Sequence, residues 1–136
     1  MDRKERDFWN RVRGALSRKV FVRRIENGVS GGDPDVFMMK QGRIVWLELK
    51  YCEVPVKRTS KLLGKGNVRL DQINWHLEYA WKGGTSFVLI GTPFEDYLMP
   101  GGLADKLNDM SLEEIEQNAV ARHKSIQLIL EQELWK

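Results

Sequence analysis

Hydrophobic periodicity divides residues 2–91 into a helix, three strands, a second helix and a fourth strand. From Asp2 to about Arg18, Phe8, Trp9, Val12, Ala15 and Leu16 recur at the spacing of one helical face. Lys19 to Glu26, KVFVRRIE, is rich in β-branched and aromatic residues and predicts a strand, which Asn27-Gly28 and Ser30-Gly31-Gly32 punctuate. Two short apolar runs follow, joined by Gln41-Gly42 as a two-residue hairpin loop. Leu70 to Lys82 predicts the second helix, with Leu70, Ile73, Leu77 and Ala80 on one stripe and Gln72, Trp75, His76 and Tyr79 on another. Gly83-Gly84 stops it. Thr85 to Ile90, TSFVLI, is continuously apolar and reads as a buried strand, returning parallel to the hairpin through the helical crossover.

Beyond Thr92-Pro93 the pattern is thinner. FEDYLM predicts an edge strand and PGG at 100–102 a turn. Ser111 with Glu114 forms a capping box, so a helix is expected from about Leu112, extending towards Leu134 with Ile115, Ala119, Ile126, Ile129 and Leu130 inward. The expected class is α/β, a mixed sheet flanked by helices, in one domain over residues 1–136 with a C-terminal helical extension over about 92–136.

The hairpin organises the rest. With Gln41-Gly42 as its loop, Lys40 faces Arg43, and counting back along both arms places Asp35 opposite Glu48. Opposed side chains share a face with Cβ atoms roughly 4.5–5.5 Å apart, so two carboxylates meet. Lys50, two residues past Glu48, faces the same way. Phe37, Met39, Ile44 and Trp46 share the acids' face, and Val36, Met38, Val45, Leu47 and Leu49 occupy the other. Both faces are apolar, which predicts a central hairpin covered on both sides. An ionised carboxylate there must be paired, bound to metal, or neutralised.

Composition narrows the chemistry. With 42% hydrophobic and 30% charged residues the chain is of the soluble globular type, and MDRKERDFW at its start is charged where a signal peptide is apolar, so a cytoplasmic location is expected. Cys52 is the single cysteine, which excludes an intrachain disulfide and a cysteine zinc site. The net charge of +3 is modest, but Lys57, Arg58, Lys61, Lys65 and Arg69 crowd one glycine-containing stretch with no acid after Glu53. That stretch reads either as a solvated surface or as a mobile basic loop that meets phosphate backbones.

Two opposed carboxylates offer hard oxygen ligands suited to Mg²⁺ or Mn²⁺, and Lys50 beside them suits an attacking water or a developing negative charge. Glu5 lies on the inward side of the first helix, either as an acid against the helix dipole or as a third acid delivered to the sheet. Nucleophilic chemistry lacks parts: His76 and His123 are the only histidines, and LLGKGN lacks P-loop spacing. His76 is expected to pack or bond on the polar side of its helix.

Gly31-Gly32-Asp33-Pro34-Asp35 followed by Glu48-Leu49-Lys50 resembles the PD…ExK signature of the PD-(D/E)XK nuclease superfamily. The order of elements is similar too, and the closest resemblance is to small stand-alone virus-type replication-repair (VRR-NUC) nucleases, with Holliday junction resolvases as cousins. It covers about residues 2–91 and implies a restriction-endonuclease-like αβββαβ core. It further implies that Asp35, Glu48 and the Leu49 carbonyl bind a divalent metal, that Lys50 acts on the attacking water, and that Gln72 lies beside the site. Glu5 matches the first-helix acid in position and facing, and Asp33 is an added acid that either pairs with Lys50 or stays solvated. The expected activity is Mg²⁺-dependent cleavage of branched or structured DNA in replication, recombination or repair, read by shape and backbone. A symmetric junction would call for a two-fold homodimer. The rival readings are an inactive DNA-binding module of the same fold, a sequence-specific endonuclease, and a structural protein whose acids form salt bridges.

Overall fold

The computed structural model describes residues 3–25 and 32–136. Helix α1 (Arg3–Ala15) leads into β1 (Phe21–Arg24), β2 (Val36–Lys40) and β3 (Arg43–Tyr51). Helix α2 (Leu70–Trp81) then connects to β4 (Ser86–Gly91) and β5 (Asp96–Pro100). The chain ends with α3 (Leu112–Asn118), β6 (Ala121–His123) and α4 (Ile126–Glu131). This is the α/β class read from the pattern, with the αβββαβ order over the first six elements. The Asn27-Gly28 and Ser30-Gly31 breaks lie outside the described residues.

All six strands form one sheet in chain order, β1-β2-β3-β4-β5-β6. Among the described strands only β3 and β4 run parallel, because α2 carries the chain back between them, as the crossover spacing suggested. The hairpin register is the one counted from Gln41-Gly42, with Lys40 opposite Arg43 and Val36 opposite Leu47. Both turn residues have positive φ, 51° for Gln41 and 80° for Gly42, the combination a type I′ loop needs.

Strand alternation feeds two cores. Val36, Met38, Val45, Leu47 and Leu49 pack beneath α1 and α4 with Phe8, Val12, Ile129 and Leu130. Val88, Ile90, Tyr97 and Met99 face the opposite core with Leu62, Val68, Leu107 and Ile115. β3 is thus central, but cover on the acids' face is uneven. Trp75 of α2 packs edge-on to Trp46 at 5.5 Å, whereas Met39 and Ile44 near the loop stay 37% and 45% exposed.

Three expectations are corrected. β5 is internal, because β6 pairs along its outer side. The single C-terminal helix is two short helices separated by β6. Ile115 belongs to one core and Ile126, Ile129 and Leu130 to the other, so the chain must pass around the sheet edge between them. One continuous helix cannot place those residues on both faces. The 51–69 stretch is also no free loop. Leu62 and Val68 are buried, Lys61 bridges to Ser111, and Asn108 bonds Val68 through both its amide nitrogen (2.9 Å) and oxygen (2.8 Å).

α1 is fixed at one end by a fork. Arg11 donates to both carboxylate oxygens of buried Asp96, at 2.6 and 3.0 Å. Arg11→Ala leaves that carboxylate buried without its cation, and a loss of about 2 kcal/mol is expected, discounted for the exposure of the arginine. Urea denaturation measures it, and Arg11→Ala combined with Asp96→Asn should recover most of the loss. A single variant as stable as the parent would show that Asp96 finds another donor.

Candidate active site

The antiparallel ladder ends at Val36, and the residue before it, Asp35, turns its carboxylate back onto β3. Asp35 Oδ2 accepts a hydrogen bond from the Leu49 backbone N–H at 2.8 Å, and its own carbonyl accepts from Ile25 N at 2.7 Å. Asp35 is therefore fixed at both its main chain and its side chain. Its neighbour across the hairpin, Glu48, is 1% exposed. Asp35, Glu48, Leu49, Lys50 and Gln72 line one cavity of about 100 Å³, with Glu5, Arg24 and Arg69 at the same opening. At roughly 30 Å³ per water, that space holds a few waters or a partly hydrated cation.

Gln72 locks the site together. Its Nε2 donates to Glu48 Oε2 at 3.1 Å, and its Oε1 accepts from Lys50 Nζ at 3.0 Å. The same Oε1 accepts from Arg69 N at 3.0 Å, which caps the first turn of α2. Lys50 Nζ stands 4.0 Å from Glu48 Oε2, so lysine and glutamate are held beside each other by a shared glutamine. Lys50 is thus engaged by Gln72 and Glu48 and does not cross to Asp33.

The polar stripe of α2 faces the sheet, and His76 packs and bonds there as expected, buried rather than at the surface. Gln72 and His76 are the helix's buried residues, while Leu70 is 72% exposed. The sheet surface there is Glu48 and Lys50, and buried polar groups must find polar partners, so hydrogen bonding outweighs apolar burial in orienting the helix. His76 Nδ1 contacts Ser86 Oγ at 2.8 Å, and its Nε2 points at Glu48 Oε1 across 4.0 Å. Neither Nε2 nor Oε1 has a hydrogen-bond partner. Burial, aided by Lys50, lowers His76 to about 4, so it is neutral at physiological pH. The signal in the sequence was its position four residues after Gln72, one turn further along the same helical face.

Burial, reinforced by Asp35, pushes Glu48 up to about 10. A carboxylate so desolvated, beside a second acid and with one oxygen unsatisfied, is a place where a cation lowers the energy. Two carboxylates are hard oxygen donors, Leu49 lines the same cavity, and Mg²⁺ commonly takes only one or two protein carboxylates and keeps waters elsewhere. The residues present therefore fit a divalent cation. Glu5 reaches the rim from α1 with its side chain exposed. Among the described residues no group of three or more His, Cys, Asp or Glu side chains is placed to hold a metal ion, so Glu5 is not drawn into a three-acid cluster.

The basic stretch is partly spoken for. Arg58 pairs with Glu116, Lys61 with Asp109 at 3.2 Å, and Arg69 with Asp71 at 3.2 Å. Lys57 and Lys65 have no ion-pair partner among the described residues, and of the five cations only Arg69 lines the acid cavity.

Gly32 joins the loop before Asp35 to α2. Its φ is +94°, and a Cβ there would stand 2.3 Å from the Asp71 carbonyl oxygen. Gly32→Ala is expected to cost on the order of 2 kcal/mol or more, because strain and a backbone clash coincide. It should also weaken Mn²⁺ binding by moving Asp35 relative to Gln72. Thermal melts with and without Mn²⁺ measure both, and a parent-like melt would show that the loop re-routes freely.

No protein-family model and no curated protein matches the chain. Among solved structures it is similar to Hjc, a Holliday junction resolvase from the archaeal hyperthermophile Archaeoglobus fulgidus. The identity is 19% and the TM-score 0.46, over 73% of this chain and 75% of that one. At that level the fold and the site rest on the chain's own geometry. No helix among the described residues is long and apolar enough to cross a membrane.

Proposed function

We propose that this chain is a divalent-metal-dependent endodeoxyribonuclease of the PD-(D/E)XK type, acting on branched or otherwise structured DNA. The observation that carries the reading is the cluster of buried Glu48, Lys50 and Gln72 with half-buried Asp35, in which one carboxyl group is desolvated beside a second acid and a lysine is held next to them. A salt-bridge role alone does not account for it, since Glu48 Oε1 accepts no hydrogen bond and its nearest ionisable neighbour, His76, is neutral.

Asp35, Glu48 and the Leu49 carbonyl would hold Mg²⁺ or Mn²⁺, and Glu5 on the rim is a candidate to reach it through water. Bound there, the ion supplies Lewis-acid polarisation of a phosphoryl oxygen and a more acidic water. Lys50, held by Gln72, donates from Nζ to the attacking water or to the charge that develops on phosphorus-bound oxygen. Gln72 acts through its neighbours as a positioning residue, since both ends of its amide are already engaged. Arg69 at the cavity, with Lys57, Arg58, Lys61 and Lys65 along the stretch that leads to it, would supply phosphate contacts, which makes binding fall with salt. The preference for branched DNA rests on the resemblance to stand-alone VRR-NUC nucleases and resolvases, and a two-fold homodimer is the assembly a symmetric junction would use.

The test is a cleavage panel of junction, flap, nicked, linear and single-stranded DNA with Mg²⁺ or Mn²⁺, with Glu48→Ala as control. Metal-dependent cutting that disappears in Glu48→Ala supports the reading. Activity surviving in that variant removes the site assignment, and absence of cutting by the parent removes the nuclease.

A further inference from the structure

Beside the acid cavity lies a larger one of about 420 Å³, within the roughly 300–1,000 Å³ range of organic-ligand sites. Phe8 and Tyr51 line both, with ring centroids 5.9 Å apart, so the two spaces are separated by a wall of two aromatic side chains. The far side of the larger cavity is the turn after β4, which carries Phe94. That ring is 70% exposed and belongs to neither core. The turn is nevertheless rigidly built. Buried Thr92 Oγ1 accepts from Phe94 N and Glu95 N, both at 3.2 Å, and donates to Glu95 O at 2.6 Å. The backbone that carries this exposed phenyl ring is thereby fixed at the edge of a cavity next to the acids.

The polar lining selects among occupants. Lys4 pairs with Glu53, Arg11 and Asp96 neutralise each other, and Glu95 is engaged by Arg122 and by the Tyr97 hydroxyl. Asp7 and Lys124, also on the wall, have no hydrogen-bond or ion-pair partner among the described residues. One acceptor and one donor beside an exposed ring suit a flat, neutral, hydrogen-bonding heterocycle better than a phosphate, which Asp7 would repel. The acid cavity is too small for more than a phosphoryl group and water, so the adjoining nucleotide must lie outside it.

We propose that the larger cavity receives an unpaired nucleobase adjacent to the scissile phosphate, stacked on Phe94 with its edge towards Asp7 and Lys124. The proposal rests on the nuclease reading and specifies its substrate. A base within an intact duplex stack cannot enter, so the preferred DNA carries unpaired nucleotides beside the cut: a flap, a splayed arm or a frayed junction.

The probe is a splayed-arm duplex carrying 2-aminopurine at its first unpaired position, with a fully paired duplex of the same sequence as reference, bound in EDTA. The parent is expected to quench 2-aminopurine in the splayed arm only. Phe94→Ala should lose the quench and bind the splayed arm roughly tenfold more weakly, and Phe94→Trp should restore both. Parent-like quenching and affinity in Phe94→Ala, an equal loss on the paired duplex, or no binding by the parent each overturn the proposal. Cleavage separates it from the reading beneath it. A parent that stacks the probe but cuts nothing keeps the base site and loses the nuclease, and a parent that cuts with no dependence on Phe94 does the reverse.

Discussion

Glu48→Gln is expected to abolish DNA cleavage, by roughly 10³-fold or more, and at the same time to make the metal-free protein more stable at alkaline pH than the parent. Both effects follow from one buried group. In the folded chain burial and Asp35 hold the Glu48 proton up to about 10, whereas unfolding returns it to the ordinary carboxylate range. Between those values the folded state binds the extra proton, so the parent is most stable below the window and loses stability as pH rises through it. The loss is on the order of a few kcal/mol across the window. Glutamine keeps the shape, still accepts from Gln72 Nε2, and has no proton to release. Urea midpoints from about pH 7 to about pH 9, above the range in which buried His76 contributes, should therefore fall for the parent and stay nearly level for the variant. Mn²⁺ should flatten the parent's curve as well, because the ion replaces the proton and binds more tightly as pH rises. Equal slopes in parent and variant would assign the pH dependence to another group.

Lys50→Met is expected to lower cleavage by about 10²–10³-fold while Mn²⁺ still binds. Methionine preserves much of the stem that packs against α2 and removes the one cation whose Nζ lies within the acid cavity's hydrogen-bonded cluster. The ligands Asp35, Glu48 and Leu49 are untouched, so metal binding and catalysis should separate. Calorimetric titration with Mn²⁺ alongside single-turnover cleavage distinguishes them. Cleavage within about threefold of the parent would show that Lys50 serves Glu48 alone and never meets the reacting phosphate.

Much of this site could be read from the sequence because a hairpin is a counting device. Gln41-Gly42 names the turn, the turn sets the register, and the register brings Asp35 to Glu48 with Lys50 on the same face. The first six elements were legible because each carries a local signature: helical spacing in α1 and α2, a β-rich run in β1, the turn-joined arms of the hairpin, and an unbroken apolar run in β4 after Gly83-Gly84. The C-terminal third was not. Ile115 and Ile126 follow a helical spacing, but they serve opposite faces of the sheet, and periodicity within a segment carries no information about which side of a sheet it covers. The facing of α2 was lost differently. Its two stripes left the facing open, and the polar demands of Glu48 and Lys50, distant in sequence, turned the Gln72–His76 stripe to the sheet. The basic stretch looked free because its partners, Asp109 and Glu116, lie far along the chain.

The hairpin count also limits how this chain can change length. Asp35 and Glu48 stand equally far from the Gln41-Gly42 turn, and over Leu47 to Lys50 β3 alternates between core leucines and the site's Glu48 and Lys50. A single insertion in either arm would exchange the roles of alternate side chains, bringing a leucine into the cavity and an acid beneath α1. Insertions placed one on each arm only extend the tip and leave the acids opposed. Descendants of this sequence should therefore vary at the tip in even steps, and a catalogue of their hairpin lengths should show odd steps only where a bulge restores the parity.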